Sequence, residues 1–100
     1  MTAREEEIAQ KTLQIFKSHL NPRRVILFGS RAKGKAAPAS DFDWAVDCPP
    51  VDAAHKRRIS EAIEQISGLY KTDVVYLTEV DEDFRQIILL TGKVCYEKGT

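Results

Sequence analysis

Residues 25–47 read VILFGSRAKGKAAPASDFDWAVD and contain the stretch that decides the fold. They begin with four apolar residues, 25–28, a run that is typical of a strand covered on both faces. The run is interrupted at Gly29-Ser30. From residue 42 onward every second side chain is large and apolar, which predicts a strand over 42–47 with one apolar face.

Two carboxylates, Asp41 and Asp43, alternate with those apolar residues. At positions i and i+2 they are about 6.6–7 Å apart along a strand, so their side chains can converge on one metal ion. A few hard oxygen ligands are typical of a magnesium site. An isolated pair of this kind is equally consistent with a solvated strand face.

The Gly29-Ser30 step directly follows the first predicted strand. Glycine lets a phosphate approach the backbone closely and tolerates positive φ. Residues 29–33 are predicted to form a turn and a short helix, whose free N–H groups would face an anion. Ser30 adds a hydroxyl donor, and Arg31 and Lys33 add positive charge, although many loops contain Gly-Ser.

The remaining elements follow from periodicity and from glycine and proline breaks. The sequence predicts helices over 3–20, 52–67 and 81–90, strands over 72–77 and 93–96, and a loop over 34–40. Together with the two strands above, this order predicts an α+β fold, a mixed sheet of about four strands packed with helices. The 100 residues are expected to form a single domain, 1–100.

Composition excludes several functional classes. Fifteen acidic and fifteen basic residues leave no net charge, so direct nucleic-acid binding is not expected. The longest apolar runs are four residues, too short to span a bilayer, and the N-terminus lacks the apolar segment of a signal peptide. Cys48 and Cys95 form no CxxC motif and are expected to be buried or incidental thiols in the cytoplasm.

Two basic features have open interpretations. His19 is favoured as a residue at a helix end or core edge rather than a functional group. The basic run 55–58, HKRR, opens a predicted helix where the helix dipole disfavours positive charge. A solvated face is the favoured interpretation, and contact with phosphate or a partner is the alternative.

The two halves of the central stretch together carry a family resemblance. Gly29-Ser30, ten further residues, then Asp41-Phe42-Asp43 resembles the GS-x10-DxD signature of the DNA polymerase beta nucleotidyltransferase superfamily. The segment FGSRAKGKAAPASDFDWAVD is similar to the FGSRARG…SDxDLxV form of the minimal nucleotidyltransferases, and the resemblance covers nearly the whole chain. Trp44 departs from the smaller aliphatic residue usual there, which concerns packing more than chemistry.

The resemblance implies a site. A third carboxylate is expected on a neighbouring strand, and Asp73 fits, although it could instead be an edge-strand aspartate. Asp41, Asp43 and Asp73 would then be catalytic and would hold two Mg²⁺ ions. Residues 29–31, Gly-Ser-Arg, would bind the phosphates of ATP, the co-substrate.

The resemblance also implies a partner. Minimal nucleotidyltransferases often resemble antitoxins that transfer AMP from ATP to a tyrosine of an all-helical HEPN ribonuclease, in a hetero-oligomer. Larger superfamily members add an acceptor-binding domain that this sequence lacks, so the acceptor is expected on another molecule. Two alternatives remain: an antitoxin that blocks its partner sterically, and a nucleotidyltransferase that modifies a small molecule or nucleic acid with a helper subunit.

Overall fold

The structure is a computed structural model and describes residues 1–32 and 41–99. The predicted loop over 34–40 and Lys33 lie outside the described residues. Within those residues the chain forms three helices and four strands in the order α1-β1-β2-α2-β3-α3-β4. The helices are α1 (Ala3–His19), α2 (Ala53–Ser67) and α3 (Glu82–Thr91). The strands are β1 (Arg24–Phe28), β2 (Phe42–Asp47), β3 (Thr72–Tyr76) and β4 (Lys93–Glu97).

The predicted α+β fold is confirmed, and the bounds of every helix and strand agree with prediction to within one residue. The short helix predicted after Gly29 is wrong as far as the structure describes that segment. Residues 29–32 form a turn, so no helix N-terminus faces a ligand at Ser30. Any phosphate bound there would be met by turn backbone instead.

All four strands form one mixed sheet in the order β3-β2-β1-β4. Strand β1 runs antiparallel to both β2 and β4, whereas β2 and β3 are parallel. The central pair is therefore β1 and β2, and β3 and β4 are the edges of the sheet. Parallel neighbours need a crossover, which α2 supplies between β2 and β3.

Two apolar clusters cover the two faces of the sheet, as the uninterrupted apolar run in β1 predicted. The cluster beneath α1 and α2 contains Ile8, Phe16, Val25, Leu27, Phe42, Trp44, Val46, Ile59 and Ile63. The cluster beneath α3 contains Ile26, Ala45, Leu77 and Ile88. Alternate residues of β2 thus belong to different faces, and its carboxylates share the α3 face with Ala45.

Trp44 fits the α1/α2 face without exposing its ring. It is 1% exposed, and its ring stands edge-on to Phe16 at 5.9 Å between centroids and nearly parallel to Phe42 at 6.5 Å. Its indole Nε1 has no hydrogen-bond partner among the described residues. The departure from the family pattern is therefore absorbed by packing on the face opposite the carboxylates.

Hydrogen-bonding caps fix where the helices begin. The Thr2 hydroxyl accepts from the Glu5 backbone N–H at 3.1 Å, while the Glu5 carboxylate accepts from the Thr2 N–H at 2.8 Å. This reciprocal pair is a capping box. Asp52, as predicted, caps α2 by accepting from the His55 N–H, and Gly68 ends that helix at φ +61°.

The remaining expectations concern isolated side chains. Cys48 and Cys95 are free thiols, the first buried and the second partly exposed. His19 is the last residue of α1, and its ring lies 6.1 Å from that of His55. In the segment of the chain that the structure describes, no helix is both long and apolar enough to cross a membrane.

Candidate active site

The candidate site lies where β1 ends and where β2 and β3 begin. Because β1 is antiparallel to β2, its last residue, Phe28, is paired with Asp43. Because β3 is parallel to β2, Asp43 is also paired with Asp73. Gly29 follows β1 directly and Asp41 immediately precedes β2. The sheet topology therefore brings both halves of the sequence motif and the expected third carboxylate to the same end of the sheet.

The pleat of the sheet places Asp43 and Asp73 on the same face. Paired residues of neighbouring strands point to the same side, and this side is the one that α3 covers further along the strands. Phe28 lies on this side and packs edge-on against Phe84 of α3, with ring centroids 5.8 Å apart. The carboxylates are thus at the rim of an apolar cluster, with Asp73 and Asp41 exposed to solvent.

Three carboxylates, those of Asp41, Asp43 and Asp73, lie near one another at this end of the sheet. Burial raises the pKa of Asp43 above its ordinary value, and the neighbouring charges of Asp73 and Asp41 raise it further, while Lys71 partly opposes them. Both causes disfavour the ionised carboxylate, and a bound cation would oppose them. Among the described residues, Lys71 is the cation that lowers this pKa, and it only partly offsets the neighbouring carboxylates.

Gly29 is required by its contacts as well as by its conformation. Its φ is +74°, in the left-handed region that other residues rarely adopt. A Cβ at this position would lie 2.6 Å from the Oδ2 atom of Asp43, well inside contact distance. The two halves of the motif therefore touch, and the next residue, Ser30, is exposed in the same turn.

Arg31, predicted to be a phosphate ligand, lies mostly inside the fold and contacts the site through the backbone of Asp41. Its side chain is only 2% exposed, and its Nη1 atom donates to the Oε2 atom of Glu5 at 2.6 Å. Its Nε atom donates to the backbone carbonyl of Asp41 at 3.2 Å. The guanidinium lies over the ring of Phe42, 4.0 Å from the centroid, and 5.7 Å from that of Tyr70. Its positive charge is paired with the Glu5 carboxylate inside the fold.

The carboxylates fit magnesium when substrate oxygens complete its coordination. Among residues 1–32 and 41–99, no three His, Cys, Asp or Glu side chains are grouped closely enough to hold an ion by themselves. Mg²⁺ in nucleotide sites commonly uses one or two carboxylates, several waters and substrate phosphates. Asp41 and Asp43, with a phosphate admitted beside Gly29, supply that donor set.

The opposite end of the same sheet face carries a compensated carboxylate. Asp47, the last residue of β2, is paired across the sheet with Arg24, the first residue of β1. The guanidinium donates to one Asp47 oxygen from Nε at 3.1 Å and from Nη2 at 3.0 Å. This ion pair neutralises the carboxylate at the end of the face opposite the candidate site.

Sequence comparison assigns the family. Residues 10–100 match the family described as "Polymerase beta, Nucleotidyltransferase". The chain belongs to this family. It is also 38% identical over 72 residues to the Haemophilus influenzae protein named probable protein adenylyltransferase MntA. That alignment covers 71% of this chain and 63% of the relative, less than two thirds of its length.

Solved structures show the same nucleotidyltransferase fold. A toxin–antitoxin complex with AMP-PNP superposes with a TM-score of 0.77 and 20% identity, over 89% of this chain and 73% of that one. A tri-AMPylated Shewanella oneidensis HEPN toxin in complex with an MNT antitoxin gives 0.72 and 17%, over 93% and 72%. At these identities the agreement establishes the fold of the family rather than a shared activity.

The sequence carries no signal for the pair of Glu5 and Arg31. The two residues are 26 positions apart, and no periodicity or spacing links them. The same holds for Tyr70, whose ring lies 5.7 Å from the Arg31 guanidinium. The one available signal is an arginine directly after Gly-Ser, which suggests phosphate binding as readily as burial.

Proposed function

We propose that this chain is a magnesium-dependent nucleotidyltransferase that acts as an antitoxin. It transfers AMP from ATP to a tyrosine of a HEPN ribonuclease in the cytoplasm and so neutralises that toxin. The observation that carries the proposal is the meeting of Gly29, Asp43 and Asp73 at one sheet edge in a chain of this family. The named relative and the solved toxin–antitoxin complexes support the choice of acceptor.

The chain's own residues have distinct roles in this proposal. Asp41, Asp43 and Asp73 would hold two Mg²⁺ ions, and Asp73, which like Asp41 is exposed, would also accept a proton from the acceptor hydroxyl. Bound metal would supply charge neutralisation and lower the pKa of the acceptor hydroxyl. Gly29 and Ser30 would bind the terminal phosphates through turn backbone and the serine hydroxyl.

The transfer itself is a displacement at the α-phosphorus of ATP. The acceptor oxygen forms a bond to that phosphorus, the bond to the bridging oxygen of the β-phosphate breaks, and pyrophosphate leaves. Positioning and charge stabilisation provide most of the catalysis in such reactions. The resulting phosphodiester adds a bulky anion to the tyrosine, where it would oppose RNA binding.

The acceptor tyrosine is assigned to a partner because the chain's own tyrosines are engaged in its fold. Tyr76 is buried in β3, and burial raises the pKa of its phenol. The ring of Tyr70 packs edge-on against Phe42 at 5.8 Å, and Tyr96 lies under the Lys17 ammonium at 4.8 Å. A partner surface over the carboxylates would also exclude water from the triphosphate.

The test is intact-mass spectrometry of this chain and of a HEPN ribonuclease from the same genome, after incubation with ATP and Mg²⁺. AMP added to the partner alone, and lost when EDTA is present, is the expected result. AMP on this chain alone would overturn the choice of acceptor. If neither protein gains mass while the ribonuclease is still inhibited, the steric antitoxin is the correct function.

A further inference from the structure

The buried pair of Glu5 and Arg31 connects α1 to both halves of the candidate site. Arg31 lies two residues after Gly29, and its guanidinium also reaches the carbonyl of Asp41, just before β2. One side chain therefore contacts the first metal-binding residue and fixes the turn that carries the phosphate-binding glycine. Glu5 holds that side chain from a third element, the first turn of α1.

Both oxygens of the Glu5 carboxylate are in use. Oε2 accepts from Arg31 at 2.6 Å, while Oε1 accepts from the Thr2 backbone N–H at 2.8 Å. The Thr2 backbone N–H and the Arg31 guanidinium therefore each hold one oxygen of the carboxylate. On its other side the guanidinium lies flat over Phe42, 4.0 Å from the ring centroid, so contacts on several sides define its position.

Stability alone is a weak reason for such a pair. Two buried charges lose hydration, and apolar residues of similar size often stabilise a fold equally well or better. With side-chain exposures of 2% and 7%, Arg31 and Glu5 are almost fully removed from water. Geometric definition is what a buried, doubly hydrogen-bonded guanidinium provides and an apolar contact does not.

We infer that Glu5 and Arg31 are positioning residues for nucleotide transfer, which fix Asp41 and the Gly29-Ser30 turn in the arrangement that binds Mg²⁺ and ATP. The inference rests on the proposed function for its site and concerns how that site is held. In this role both residues act through Asp41 and the turn rather than by touching substrate. Partners that orient metal ligands typically change metal affinity or activity by about 10–100-fold when they are removed.

The experiment measures binding of Mg²⁺ with a non-hydrolysable ATP analogue by calorimetry and, separately, AMP transfer, in Glu5→Gln and Arg31→Lys. Glutamine keeps an acceptor for the Thr2 N–H, and lysine keeps the charge without the fork that reaches two acceptors. Both variants are expected to weaken nucleotide binding and raise the KM for ATP by about tenfold or more. Wild-type binding and KM in both folded variants would overturn the inference.

Two matched controls separate positioning from general stability. Glu7→Gln removes an exposed ion pair with Arg4 on the same helix and should change neither measurement. Thr2→Ala removes the hydroxyl of the capping box and should lower the melting temperature measurably. Nucleotide affinity in Thr2→Ala should remain at the wild-type value when measured well below its melting temperature.

The double variant Glu5→Gln with Arg31→Gln gives the sharpest outcome. It removes both charges of the pair, so it should melt above the Glu5→Gln single variant, in which the buried guanidinium has lost its Glu5 carboxylate. Its nucleotide affinity should stay low, because the contact to the Asp41 carbonyl is still missing. Recovery of affinity together with stability would show a purely structural role and overturn the inference.

Failure of the proposed function has a different signature. A wild-type chain that binds the Mg²⁺–nucleotide complex but transfers AMP to no acceptor would overturn the transfer reaction, and the affinity ratios would still decide the positioning role. A wild-type chain that binds no nucleotide would overturn both.

Discussion

Asp47 and Asp43 lie on the same face of β2, near opposite ends of the strand, in contrasting electrostatic surroundings. Asp47 is paired with Arg24 across the sheet, and their side chains are 15% and 27% exposed. Asp43 has Phe28 as its neighbour on one strand and Asp73 on the other. Its pKa is raised by burial and by like charges, and Lys71 only partly opposes them.

Asp47 stabilises the fold through its ion pair, whereas Asp43 is the carboxylate proposed to bind the metal ion. The charge of Asp47 is neutralised within the fold by Arg24, which is paired with it across β1 and β2. Among the described residues, Lys71 offsets the charge around Asp43 only in part, so a bound cation would stabilise this end of the fold further. Each prediction below tests one side of this contrast.

Asp41→Asn combined with Asp43→Asn has the largest expected effect. AMP transfer should fall to background, because the variant loses the anionic ligands of the metal. Removing like charges should leave the metal-free melting temperature equal or higher, and Mg²⁺ with ATP should no longer raise it. Scanning calorimetry with and without ligand, beside the transfer assay, measures both. Retained transfer would rule out these ligands.

Gly29→Val should be nearly as damaging to transfer, for a steric reason. The side chain would enter the space of the Asp43 carboxylate and would be held at φ +74°. Left-handed backbone in a residue other than glycine is destabilising by about 1–3 kcal/mol. Calorimetric affinity for the ATP analogue should be lost, while binding of the proposed toxin partner is retained.

Ser30→Ala is the matched milder change in the same turn, because it removes one hydroxyl donor among several groups. It should weaken nucleotide binding less than the valine variant does. Equal ATP affinity in Gly29→Val and wild type would contradict the proposed role of the turn.

Arg24→Gln removes the partner of Asp47, and it should lower stability without lowering AMP transfer. Asp47 would lose a charge-assisted partner while partly buried, which is destabilising by about 1–3 kcal/mol. Urea denaturation should show that loss, and transfer per folded molecule should be unchanged at low temperature. A fall in transfer as large as that of the aspartate variants would show that the two ends are not independent.

The smallest expected effect concerns pH. Glu5 is a second compensated carboxylate, whose pKa is lowered from 4.5 to about 2, first by the Thr2 backbone N–H and then by Arg31. A lowered pKa contributes stability above the unfolded value, and this contribution is lost as pH falls towards the folded value. The stability of wild type over Glu5→Gln should therefore be constant above about pH 5.5 and shrink between 4.5 and 2. A gap that widens on acidification would contradict the assigned hydrogen bonds.

Local patterns in the sequence predicted much of this site. Alternation in residues 42–47 placed the carboxylates opposite Trp44, and the apolar run before Gly29 predicted a strand buried on both faces. Each of these features depends on neighbours in the chain, which periodicity reports directly. Pairing of Asp43 with Asp73 needed the family resemblance, because strand order is a non-local property.

The parts that prediction missed are long-range or conformational. The direction of Arg31 depends on Glu5, which reaches it from another element of the fold. Whether Ser30 begins a helix depends on backbone geometry at the end of β1, and the described residues form a turn. A basic residue after Gly-Ser is compatible with both outcomes, so the motif alone could not choose between them.

The register between β1 and β2 links the packing of the apolar core to the position of the site carboxylates. A slip of one residue would turn every side chain of β2 to the opposite face. The carboxylates would then enter the cluster beneath α1 and α2, and Phe42, Trp44 and Val46 would leave it. Each of those three losses costs about 1.5–3 kcal/mol, which together is comparable to the whole stability of a small domain. A chain whose aspartates are displaced in this way also loses the burial of Phe42, Trp44 and Val46, so the slipped register is unstable.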